Sequence, residues 1–142
     1  MWAIDLSEAA LAVTSENAAR LGVGSRVTTV QGDLLGPLPA QADLIVANLP
    51  YVNSRDLAAL PASIVGFEPL LALDGGATGL DQIRRLLDQT PRCLRPGGSL
   101  LLEVGYDQAD AVSDLTRRRF PGASVQSWVD LGGHVRVIGV QL

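Results

Sequence analysis

Four consecutive residues, Asn48-Leu49-Pro50-Tyr51, stand directly after the apolar run Leu44-Ile45-Val46-Ala47. Their types suit the handling of a planar NH2 group. The Asn48 side chain offers a carbonyl acceptor. Pro50 has no N–H and biases Leu49 to an extended backbone, which leaves carbonyls free to face a site. Tyr51 supplies a flat face for stacking. Amide and exocyclic amino nitrogens are poor nucleophiles because their lone pair is conjugated. Two acceptors on their hydrogens turn that lone pair toward an electrophile, which is what N-methylation needs. Asn48, Pro50 and Tyr51 are the candidate catalytic residues. Asn48 to Tyr51 together are the candidates for holding the methyl acceptor.

Such a turn must be held by the elements around it. Residues 2–5 read as a short buried strand, with Ser7 as N-cap of a helix that runs to Leu21 and stops at Gly22. Residues 27–31 are β-branched and alternating, hence a strand, closed by Gly32-Asp33. Residues 43–47 form the next strand and end in the Asn48 turn. Residues 52–78 carry prolines and glycines with only short helical stretches, and read as a long functional loop or lid. A helix follows over 79–94, a turn at Arg95-Pro96-Gly97-Gly98, a central strand at 100–104, a helix over 107–119, and two closing strands at 124–129 and 135–140. Alternating strands and helices predict a parallel sheet with helices on both faces, and the last two strands an antiparallel hairpin at its edge. The whole reads as a single domain over 1–142.

In open α/β sheets, sites form at the carboxyl ends of the strands. Asp5 ends the first strand, Asp33 follows the second and Asn48 follows the third. A carboxylate there accepts hydrogen bonds from ribose hydroxyls. Asp33, with the backbone N–H of Leu34, suits an adenine amino group and ring nitrogen. Asp5, Asp33, Leu34 and Asn48 are the candidate cofactor-binding residues. Glu103 also ends a strand, and its role stays open.

The bulk composition sets limits. The 142 residues, 47% of them hydrophobic, are enough for one folded core. Apolar runs stop at about six residues, short of the roughly 20 that a membrane helix needs. The lone Cys93 excludes an internal disulfide and suits a cytoplasmic protein. Net charge is −4, all eleven basic residues are arginines, and the only basic cluster, Arg117-Arg118-Arg119, falls at an expected helix end. Direct nucleic-acid binding is therefore not expected. No metal-ligand spacing is present.

Beyond the tetrapeptide come Phe67-Glu68-Pro69-Leu70-Leu71-Ala72-Leu73, Gly75-Gly76-Ala77-Thr78-Gly79-Leu80, Leu94-Arg95-Pro96-Gly97-Gly98, Leu102-Glu103-Val104-Gly105 and Asp130-Leu131-Gly132-Gly133. This series resembles the HemK/PrmC family of protein-(glutamine-N5) methyltransferases. The resemblance implies a class I S-adenosylmethionine-dependent methyltransferase (Rossmann-like) fold. It implies S-adenosylmethionine as cofactor, bound through Asp5 and Asp33. The implied partner is a protein substrate, a peptide-chain release factor methylated at the glutamine of its Gly-Gly-Gln motif. Asn48 and the Leu49 carbonyl would accept from the glutamine NH2, with Pro50 and Tyr51 shaping the pocket. The family has Pro where this chain has Leu49, and Asn-Leu-Pro-Tyr also occurs in ribosomal-RNA adenine dimethyltransferases. The family's first strand and glycine-rich loop find no counterpart before Asp5. Two strands are then expected to lack a ladder partner, and isolated chains to associate over the gap. Two alternatives stand beside the enzyme: an inactive remnant serving as a binding module, and a nucleic-acid adenine N6-methyltransferase.

Overall fold

The β-branched stretch Thr28-Thr29-Val30 forms a strand, and its partner is the first apolar stretch of the chain. The computed structural model describes all residues from Met1 to Leu142, in two compact units, 1–41 and 42–142. In the first unit, β1 (Trp2–Asp5) pairs in parallel with β2 (Thr28–Gln31), with Asp5 opposite Gln31. Between them runs α1 (Glu8–Arg20), capped by Ser7, whose Oγ accepts from the Ala10 N–H at 3.2 Å. Leu11 and Ala18 are its buried residues.

The second unit holds a four-stranded sheet. β3 (Ala42–Asn48) pairs in parallel with β4 (Leu94–Glu103). β6 (Val135–Gln141) lies antiparallel between β4 and β5 (Ser124–Val129), giving the order β3-β4-β6-β5. The expected edge hairpin is present. β4 begins earlier than the sequence predicts: Leu94 already pairs with Ala42, and the Arg95–Gly98 turn is a register irregularity within the strand. Two short helices, α2 (Ala62–Val65) and α3 (Leu70–Leu73), interrupt the long segment after β3. Then come α4 (Asp81–Cys93) and, after β4, α5 (Ala109–Arg119).

The core of this unit sits on one face of its sheet. α4 buries Ile83, Leu86, Leu87 and Thr90, one stripe at helical spacing. α5 buries Val112 and Thr116. On the sheet, Ile45, Leu100, Leu102, Ile138 and Val140 are buried as well, and α4 packs on β4 and α5 on β6. Each aliphatic side chain among them contributes roughly 1.5–3 kcal/mol by leaving water. The opposite face differs from the expectation of helices on both sides. Leu44, Val46 and Trp128 there are 53%, 70% and 47% exposed. The reason is topological: both long helices of this unit return on the same side, and no element of the unit crosses to the other.

β1 pairs only with β2, and β3 only with β4. Each therefore has one free edge, as do β2 and β5.

Candidate active site

Asn48 is the last residue of β3 and lies opposite Glu103, the last residue of β4. The strand thus delivers its Asn at the carboxyl end of the sheet. The Asn48 side chain is exposed and makes no hydrogen bond within the chain. After Pro50 the backbone is fixed tightly. The Tyr51 carbonyl accepts from Gln108 Nε2 at 2.8 Å. Val52 N–H donates to the Leu73 carbonyl at 3.0 Å, and Gly75 N–H donates to the Val52 carbonyl at 2.8 Å. The turn therefore has open acceptors at its front and a backbone clamp behind.

The clamp explains the other motifs. Pro69 precedes α3, which delivers Leu73 and Asp74 beside Val52. Gly75 sits so close that a Cβ there would lie 2.7 Å from the Pro50 carbonyl oxygen and 2.8 Å from Tyr51 Cα. Gly79, at φ +70°, leaves a Cβ no room beside the Tyr51 carbonyl oxygen. Gln108 joins three backbones: its Nε2 donates to Tyr51 and Gly79 carbonyls, and its Oε1 accepts from Gly105 N–H at 3.0 Å. The segment read as a lid is, over residues 73–79, the wall behind the turn.

Asp74 secures that wall. Its Oδ1 accepts from Ser54 Oγ at 2.6 Å and from Gly76 N–H at 2.9 Å. These bonds, Ser54 first, hold its carboxyl below the usual value against a small desolvation effect. A depressed carboxylate stabilises the fold above its unfolded pKa, about 3.9. That contribution is lost as pH falls through the lower folded value. As pH falls below about 4, hydrogen exchange at Gly76 and Ser54 is expected to accelerate in the wild type relative to the helices. Asp74→Asn should abolish the pH dependence, and equal acceleration in that variant would refute the role.

Tyr51 is tied to the far strand. Arg136 Nη2 on β6 donates to the Tyr51 hydroxyl at 2.9 Å and lies 3.4 Å from Glu103 Oε1. The Tyr51 hydrogen bond, with Glu103 and Asp130 adding to it, raises the guanidinium pKa above its ordinary value in spite of desolvation. Glu103, left open by sequence, is thus an ion-pair partner. His134 stands edge-on to Tyr106, ring centroids 6.0 Å apart, and Arg117 to Arg119 occupy the last turn of α5 as expected. Sequence reasoning missed Arg136, Gln108 and Asp74. A signal for the first was present: a lone cation inside the apolar strand Val135-Arg136-Val137-Ile138.

In the first unit, Asp5 and Asp33 lie at the carboxyl ends of neighbouring parallel strands. Asp5 Oδ1 accepts from Ser7 N–H at 2.8 Å, which sets its orientation and leaves the second oxygen for a ligand. Leu34 has φ +51°, the one positive value outside glycine. That conformation costs of order 1–3 kcal/mol and concentrates at ligand-holding backbone. An oriented carboxylate and a strained backbone thus stand at and just beyond the ends of two paired parallel strands.

The decisive observation is one of sequence. The chain is 52% identical over 118 residues to the release factor glutamine methyltransferase of Moorella thermoacetica, covering 82% of this chain and 41% of that protein. It is a sequence relative of the release factor glutamine methyltransferases. The enzyme of that name from Cereibacter sphaeroides is 44% identical over 140 residues, 99% of this chain and 50% of its own length. The ribosomal protein uL3 glutamine methyltransferase of Bordetella pertussis is 46% identical over 107 residues, 75% of this chain and 36% of that protein. The chain thus spans about half the length, or less, of these curated relatives. No family model matches it. Among solved structures, a methyltransferase from Pyrococcus furiosus superposes with TM-score 0.69 at 16% identity, covering 99% of this chain and 61% of that one. A ribosomal protein L11 methylase from Lactobacillus delbrueckii subsp. bulgaricus gives 0.65 at 18%, covering 99% and 55%. The fold is that of the class I methyltransferases. No helix is long and apolar enough to cross a membrane.

Proposed function

We propose that this chain carries the acceptor site and part of the cofactor site of an S-adenosylmethionine-dependent glutamine N-methyltransferase. We read both units as parts of one catalytic domain, since the alignments run across both. The acceptor is the side-chain amide of a protein glutamine, with the Gly-Gly-Gln motif of a peptide-chain release factor as first candidate. The observation that supports this best is the turn itself, with open acceptors at Asn48 and a backbone clamped from Tyr51 onward.

Asn48 Oδ1 and the Leu49 carbonyl accept the two amide hydrogens and fix the plane of the group. Pro50, lacking an N–H, places no competing donor beside them. Tyr51 walls the pocket and excludes water. Asp5 would hold ribose hydroxyls, and Asp33 with Leu34 N–H the adenine edge. Bound there, S-adenosylmethionine supplies an electrophilic methyl group on its sulfonium. The chain's own part is orientation and desolvation, which can lower a barrier by on the order of 7–11 kcal/mol.

Calorimetric titration of S-adenosylmethionine into the 142-residue chain, with Asp5→Ala as control, tests the cofactor half. Binding is expected to be weak, and at least tenfold weaker in the variant. Equal affinity in both would remove Asp5 from the site. No binding by a folded sample would favour a binding module without activity. Transfer of a labelled methyl group to a Gly-Gly-Gln peptide tests the acceptor half. Ribosomal protein uL3 is the second acceptor to try, favoured by the Bordetella pertussis relative. We further read the free edge of β3, with Leu44 and Val46 exposed beside it, as a place where isolated copies pair. Sedimentation of the same sample at rising concentration would show only monomer if that is wrong.

A further inference from the structure

Arg136 is the single charged side chain of β6, and it is spent on the Asn48 turn rather than on solvent. Its side chain is 25% exposed, against 37% for its partner Glu103. Nη2 meets the Tyr51 hydroxyl at 2.9 Å, and the guanidinium carbon stands 5.3 Å from the Tyr51 ring centroid. That distance lies within the range of cation–π attraction. The ring is therefore held twice, at its hydroxyl and by its π system. Glu103 Oε1, 3.4 Å away, fixes the guanidinium from the neighbouring strand.

The direction of the hydrogen bond matters. A guanidinium has donors only, so the Tyr51 oxygen must accept. A phenol carries one proton, and the Tyr51 hydroxyl makes no other hydrogen bond within the chain. Its proton is left for an acceptor outside the chain. We propose that Arg136 is a positioning residue for methyl transfer: it fixes the Tyr51 ring beside the acceptor amide and commits the Tyr51 hydroxyl to donate to a carbonyl oxygen of the bound substrate chain. This assigns the tetrapeptide a donor in addition to its acceptors, and rests on the glutamine reading above. A glutamine amide, or the backbone beside it, offers a carbonyl that a bare NH2 group lacks.

The test uses the full chain labelled with 13C-tyrosine. Only Tyr51 and Tyr106 are present, so Tyr106→Phe assigns the ring signals. In Arg136→Gln the Tyr51 ring signals are expected to shift and broaden while those of Tyr106 hold. Arg136→Lys, which keeps a donor and the charge, should restore them in part. Unchanged Tyr51 signals in Arg136→Gln would overturn the positioning role, whatever the substrate. A Gly-Gly-Gln peptide titrated into the same samples reads the donor. Tyr51→Phe and Arg136→Gln should each weaken its binding about fivefold to tenfold, the loss of one hydrogen bond. Wild-type affinity in Tyr51→Phe would overturn the donor. No peptide binding by the wild type would overturn both the donor and the glutamine reading, with the positioning role still decided by the ring signals.

Discussion

Gly79→Ala is expected to lower the stability of the larger unit by about 3–4 kcal/mol and to loosen the Asn48 turn with it. Two costs combine. At φ +70° an alanine sits in the left-handed region, at about 1–2 kcal/mol. Its Cβ would also overlap the Tyr51 carbonyl oxygen and come within 2.6 Å of Gln108 Nε2. A flexible side chain could swing aside, but the Tyr51 carbonyl cannot, because Gln108 holds it at 2.8 Å. Either the turn moves or the wall moves. The thermal unfolding midpoint followed by circular dichroism should fall by roughly 12–32 °C, at about 4–8 °C per kcal/mol for a unit of this size. Gly75→Ala, pressed against the Pro50 and Gly79 carbonyls, carries the steric cost without the positive φ and should lose less stability than Gly79→Ala. Gly97→Ala is the control: it shares a positive φ but has nothing within 4 Å of the added carbon. If Gly79→Ala loses no more stability than Gly97→Ala, the clamp is not what holds the turn.

The contrast between those glycines shows where sequence stops being legible. Gly75, Gly79 and Gly97 look alike in sequence, each in a glycine-rich turn. Only the packing of residues 73–79 behind Tyr51 separates a close approach from an ordinary turn. The local elements were readable for local reasons. Ser7 before Glu8 marks a helix start, and the stripe Ile83, Leu86, Leu87, Thr90 has helical spacing. Asn48 at a strand end was readable because the apolar run before it has no turn residue. Arg136 could be marked as odd, yet not joined to Tyr51. The two lie 85 residues apart, and their meeting depends on β6 entering the sheet between β4 and β5. The bare sheet face was equally hidden. Alternation of strands and helices predicts that helices cover a sheet, and it does not say on which side each returns. The strain at Leu34 has no sequence signature either, since a leucine does not announce a left-handed backbone.

Asn48→Ala is expected to reduce methyl transfer to a glutamine peptide by on the order of 10²–10³-fold, as removal of one preorganised hydrogen-bonding group does elsewhere, while leaving the fold intact. The second half follows from geometry. Asn48 is exposed and makes no side-chain hydrogen bond within the chain, so its loss removes no internal interaction. A residue kept for stability would show the reverse pattern. The first half follows from the chemistry of the amide. On the proposed reading, loss of one acceptor lets the planar amide pivot as a whole about the remaining bond to the Leu49 carbonyl, so that its nitrogen no longer faces one way. Asn48→Asp separates acceptor from donor: it keeps carbonyl-type oxygens in place and should retain more activity than the alanine variant. Asn48→Leu keeps the bulk without the acceptor and should match alanine. The three variants, compared at equal cofactor saturation with their unfolding curves, decide the matter. Activity in Asn48→Leu close to wild type would mean that the turn only fills space. Equal loss in Asp, Ala and Leu would mean that the Asn48 amide hydrogens, and not its oxygen, carry the effect.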